Sequence, residues 1–72
     1  MQLFFFDIVN PKCRSYDYHG RKLSRPEDAV DVAEMIAMDL GCSETADLIG
    51  SQVQVRTVAG VMLFAAPIVI AA

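Results

Sequence analysis

His19 is the only histidine in the chain, and it stands in the run Asp17-Tyr18-His19-Gly20-Arg21-Lys22. An imidazole titrates near neutral pH, and a carboxylate beside it can hold one tautomer, so an Asp–His pair suits general acid–base work. Catalysis needs groups that converge in space, however, and the sequence names no nucleophile that this pair would serve. The same residues also spell a turn. Asp at the first position and Gly at the fourth is the pattern of a type I turn, which makes His19 a solvated turn residue.

Cys13 lies between Lys12 and Arg14. Flanking positive charge favours the thiolate, so Cys13 is the candidate reactive thiol, with redox sensing as its chemistry. No resolving cysteine is near in sequence, and an incidental exposed thiol is the simpler reading. Cys42 follows Gly41 at a helix end and reads as a small, buried, protected apolar residue. A zinc site built from Cys13, Asp17, His19 and Cys42 would need four separate elements to converge without any recognised ligand spacing. No metal and no cofactor is expected.

The net charge of −3 conceals an asymmetry. Five of the six basic residues, Lys12, Arg14, Arg21, Lys22 and Arg25, fall in the first third, while seven of nine acidic ones lie between Glu27 and Asp47. Tyr16 and Tyr18 interleave the basic cluster, and rings among cations can stack on and neutralise single-stranded nucleic acid. An acidic chain is nonetheless a poor general binder of phosphate. Glu27, Asp31 and Glu34 could dock a basic partner or a cation, but they are also the ordinary wet face of a helix, with Met35 and Met38 as adaptable contact residues.

These residues need elements to position them. Leu3 to Val9 is aromatic and β-branched and reads as a strand, broken by Asn10-Pro11. Ser15 to Tyr18 is a second, weaker strand, joined to the first in a hairpin with a basic loop. Ser24 and Glu27 spell an S-x-x-E capping box, with Pro26 in the first turn. At 100° per residue, Ala29, Val30, Val32, Ala33, Ile36, Ala37 and Leu40 share one face, so a helix over Ser24–Leu40 is predicted. Gly41 suits a left-handed helix end. Ser43 to Ile49 reads as a short turn, and Gln52 to Arg56 alternates as a strand with one wet face. A turn at Val58-Ala59-Gly60 leads into a last strand from Val61 to Ile70, where Pro67 interrupts pairing or marks an edge.

Seventy-two residues make a single domain, residues 1–72, that buries only about 60% of its unfolded surface. Without a staple, so small a core supplies about 3–5 kcal/mol. Two cysteines do not make a disulfide scaffold, and no basic n-region precedes Leu3, so reduced thiols in the cytoplasm are expected. The fifteen uncharged residues from 58 to 72 include Gly60 and Pro67 and fall short of the roughly 20 that a spanning helix needs. They read as a buried strand.

The whole pattern resembles a family of short alphaproteobacterial proteins known as a domain of unknown function. The resemblance rests on the aromatic triplet Phe4-Phe5-Phe6, the D-x-x-G turn from Asp17 to Gly20 and the apolar Leu23 after it. It continues through the acidic, alanine-bearing helix from Glu27 to Leu40, the V-x-V strand of Val53 and Val55, and the turn at Gly60. The family usually carries an acidic residue in the last turn, where this chain has Thr57-Val58-Ala59. The resemblance implies the fold and a bacterial origin and supplies no catalytic residue.

The expected fold is α+β, ordered β-β-α-β-β, with a four-stranded, antiparallel-rich sheet and one helix on one face. Strand order stays open. Apolar first and last strands suit central positions and the alternating third an edge, while a fully antiparallel order would leave the last strand at an edge. One helix covers one sheet face, so Leu3, Phe5, Met62, Leu63 and Phe64 are the candidate interface of a two-fold homodimer. The expected function is a non-catalytic module acting through self-association and protein contacts. The alternative is a small nucleic-acid-binding regulator using Lys12, Arg14, Arg21, Lys22 and Arg25.

Overall fold

A computed structural model describes residues 1–42 and 50–69. The expected turn at Ser43 to Ile49 and the end of the last strand at Ile70 lie outside the described residues. The order is β1 (Gln2–Val9), β2 (Arg14–Ser15), β3 (Arg21–Leu23), α1 (Pro26–Gly41), β4 (Gln52–Thr57) and β5 (Met62–Pro67). All pairings are antiparallel, in the order β2-β1-β4-β5, with β3 also on β1, and α1 packs on one face. The fold is α+β. The expected second strand is two short ones, because Tyr16 to Gly20 leave the ladder to form the turn around Asp17.

The helix face of the sheet presents Phe4, Phe6, Val53, Val55 and Ala66, all buried, with Ile68 just beyond β5. Against them α1 lays Ala29, Ala33 and Ala37, spaced four apart, flanked by half-buried Val32, Ile36 and Leu40. Side chains at i and i+4 stack on one helical face, so this spine of small residues brings helix and sheet close together. Gly41 continues the spine. A Cβ there would collide with the Val69 carbonyl oxygen, and the chain after β5 crosses the helix at that point. Gly41 is helical rather than left-handed, and Cys42 is the C-cap at φ −82° and ψ −9°. Size, not backbone freedom, dictates glycine here.

The helix starts later than the capping box implies. Arg25 is the N-cap, in an extended conformation and without a side-chain cap hydrogen bond. Pro26 takes the first helical position, where its fixed φ fits and its missing N–H costs nothing, and this moves the cap one residue past Ser24. Arg25 instead pairs with Asp28 at 2.9 Å.

The strand order leaves β1 and β4 central and β5 at an edge. Gln52 to Thr57 is therefore no edge strand, and residues 58–69 are not a buried one. Pro67 is tolerated because it faces outward: Ile68 donates its N–H to the Ser51 carbonyl at 3.0 Å, so by antiparallel alternation residues 66 and 64 also face β4, while 67 and 65 face away. A bulge beside Val55 and Arg56 leaves Leu63 as the extra residue. It moves Met62 opposite Arg56, onto the sheet face away from the helix, rather than in line with Phe64.

Candidate functional site

The sheet face away from α1 should carry Leu3, Phe5 and Val9 as a bare apolar surface. It does not. Asp7 stands among them at 0% exposure, in the middle of β1. An unpaired carboxylate buried like this is expensive, and four donors meet it. Arg56 reaches it from β4 with Nε to Oδ2 at 3.0 Å and Nη2 to Oδ1 at 3.3 Å. Arg14 of β2 contributes Nη1 to Oδ2 at 3.2 Å, and the Asp17 backbone N–H donates to Oδ1 at 3.0 Å. Arg14 also donates to Gln54 Oε1 at 2.7 Å, which explains how the polar Gln54 comes to be buried on a central strand.

Aromatic rings close the cluster. The Arg56 guanidinium lies 4.5 Å from the centroid of Phe5 and 5.7 Å from that of Tyr16, and Arg14 lies 5.4 Å from Tyr16. These distances fall inside the roughly 6 Å reach of a cation–π attraction. Burial works to raise the pKa of Asp7. The Arg56 hydrogen bond, the Asp17 N–H and the charges of Arg56 and Arg14 overcome that effect and hold it below the usual carboxylate value.

Asp17 seals the outer edge of β1. Strand β2 pairs with Ile8 and Val9, and β3 pairs with Gln2 to Phe4. Between them the Phe6 N–H would be left unpaired, and Asp17 Oδ2 accepts it at 3.1 Å. The other oxygen accepts the N–H groups of His19 and Gly20 at 3.0 and 3.1 Å, with Gly20 at φ 73°. Burial again acts to raise this carboxyl, and the N–H donors of Gly20, Phe6 and His19 more than offset it. His19 thus serves the turn through its backbone, and its exposed imidazole makes no hydrogen bond among the described residues.

The basic cluster is divided by these contacts. Arg14 is committed to Asp7 and Gln54, and Arg25 to Asp28, while Lys12, Arg21 and Lys22 are exposed without an ion pair among the described residues. Cys13 and Cys42 are both free and exposed. The expectation of a protected Cys42 is therefore corrected: the helix stops at the surface, and Cys42 lines a groove there. Among the described residues no cluster of three or more His, Cys, Asp or Glu side chains could hold a metal ion. No helix there is long and apolar enough to cross a membrane.

The five candidate interface residues do not form one surface. Leu3 is half-buried against Gly20, and Phe5 is half-buried beneath Arg56. Phe64 faces the helix and packs on the core. Met62 and Leu63 are exposed, at 56% and 45%, and Val58, Val61 and Val69 are exposed with them. Alongside runs a groove of about 630 Å³ between β5 and the C-terminal half of α1. Ala37, Gly41 and Ala66 are among its lining residues, with Met38, Phe64 and Val69, and Glu34 is its one charged member. The outer edge of β5 has no strand partner among the described residues.

One signal in the chain points to the Asp7 cluster: a lone acidic residue inside the apolar run Leu3 to Val9. Charged residues are almost never fully buried unless paired, so Asp7 called for partners. They lie 7 and 49 residues away in the chain.

No curated protein and no solved structure matches the chain. A family model covers residues 3–69, nearly every residue described above, and the chain belongs to that family, a domain of unknown function (DUF6894).

Proposed function

We propose that this chain is a non-catalytic module that acts through protein contacts, the first of them with a second copy of itself, made along the outer edge of β5. The observation that carries this reading is the β5 edge, unpaired among the described residues and flanked by exposed Val61, Met62 and Leu63. An open edge offers a row of backbone N–H and C=O groups to another strand, and natural proteins commonly blunt such edges with charge. Here no charged residue follows Arg56 in the chain. Covering the apolar side chains contributes about 25 cal/mol per Å² removed from water, which suits a domain with so small a core.

The non-catalytic part of the reading rests on how the candidate acid–base pair is used. Both Asp17 oxygens are taken up by backbone N–H groups, and so belong to the architecture of the turn. Two free thiols fit a reduced, cytoplasmic setting.

Light scattering coupled to size exclusion at micromolar concentration tests the reading. The expected mass is twice the 7.9 kDa of one chain. Met62→Lys and Leu63→Lys, both at exposed positions, should return the protein to a single chain with unchanged circular dichroism. A folded, unmodified protein that scatters as one chain overturns the reading.

A further inference from the structure

We infer that the protein forms a dimer by two-fold pairing of β5 with β5 centred on Ala65, in which Phe64 of each copy lies opposite Ala66 of the other. This rests on the self-association proposed above and specifies its geometry. Three observations lead to it.

The usable edge is short and framed. Leu63 is the bulged residue on one side, and Pro67, which has no N–H to offer, stands on the other. Between them Phe64 and Ala66 turn their backbone groups toward β4, and Ala65 turns its own outward. Ala65 is therefore the one residue of this window that can exchange both hydrogen bonds with its own copy. Antiparallel pairing about Ala65 sets Phe64 opposite Ala66 of the second copy, and Ala66 opposite Phe64.

Side-chain sizes agree with that register. Phe64 and Ala66 both face the helix side, and both line the groove beside α1. Each large ring thus meets a small residue across the junction, next to a wall that includes Ala37 and Gly41. The symmetry axis stands perpendicular to the sheet, so both helices lie on one side of a continuous sheet. No like charges oppose each other on β5, because the chain is uncharged from Thr57 onward.

A cross-link distinguishes this geometry from self-association in general. In the full chain carrying Cys13→Ser and Cys42→Ser, Ala65→Cys places two thiols on a hydrogen-bonded pair whose Cα atoms are about 5.5 Å apart, within disulfide reach. Leu63→Cys places its two thiols four residues out of register, roughly 13 Å apart at about 3.3 Å per residue. Mild oxidation should cross-link A65C at least an order of magnitude faster than L63C. A chain mass of two with L63C linking as fast as A65C, or with no A65C link, overturns the register and leaves the self-association standing. A single-chain mass, including one seen when the groove holds some other extended peptide, overturns both.

Discussion

Arg56 lies between two neighbours of opposite chemistry: its Nε donates to Asp7 Oδ2 at 3.0 Å while its guanidinium rests 4.5 Å from the centre of the Phe5 ring. Asp7 and Phe5 are both on β1 and point to the same side, so one β4 side chain neutralises a buried carboxylate and roofs an aromatic ring. The contact ties the two central strands together on the face that α1 does not reach.

Asp7→Asn should therefore cost about 3 kcal/mol in urea unfolding at neutral pH, the low end for breaking a buried ion pair, since Arg14 and Arg56 keep some access to water. A loss below about 1 kcal/mol, the scale of an exposed pair, would show that the cluster is no more than a surface contact.

The same carboxyl sets an acid limit. Its folded pKa lies below the ordinary 3.8, so its stabilisation is complete above that value and disappears as pH falls through the lower, folded one. Asp17 is shifted in the same direction, with its own value also starting from 3.8. The stability gap between the unmodified protein and Asp7→Asn should thus stay constant from neutral pH to about pH 5 and narrow below about pH 4. A gap that stays constant into that acid range would contradict the assignment.

Gly41→Ala offers a test with an unusual sign. Within a helix the change ordinarily stabilises by about 1 kcal/mol. Here the added methyl meets the Val69 carbonyl, and overpacking of this kind costs about 1–3 kcal/mol. Thermal melting should show a lower midpoint for the variant, and a higher one would mean that the chain after β5 does not clamp the helix end.

Nucleic acid should bind weakly at most. Only Lys12, Arg21 and Lys22 of the basic cluster are without a partner among the described residues. Three neutralised phosphates on a single strand give a log–log salt slope of about −2, at roughly 0.7 counterions each. A steeper slope in a filter-binding titration would mean that Arg14 leaves Asp7 for the ligand.

The sequence made α1 legible because its apolar residues recur at helical spacing and tertiary packing uses the same face. Its first turn was less so: Ser24 and Pro26 signal different starts, and the proline's fixed φ decides. The position of β5 was not legible, since an uncharged run reads the same whether a strand is covered on both sides within the chain or left open at an edge. The reverse error befell β4, where Gln54 and Arg56 alternate like a solvated edge yet are satisfied by Arg14 and Asp7. Periodicity reports which residues share a face, and only their distant partners determine whether that face is wet.

The plug that Asp17 places beside Phe6 bears on how far assembly can proceed. On one flank β2, β3 and that carboxylate take up the outward backbone groups of β1, whereas the β5 flank has no strand partner among the described residues. Were two copies to join through β5 as proposed above, that edge would be used up at the first joining step. A pair closed in that way would leave no second β5 edge from which a filament could lengthen.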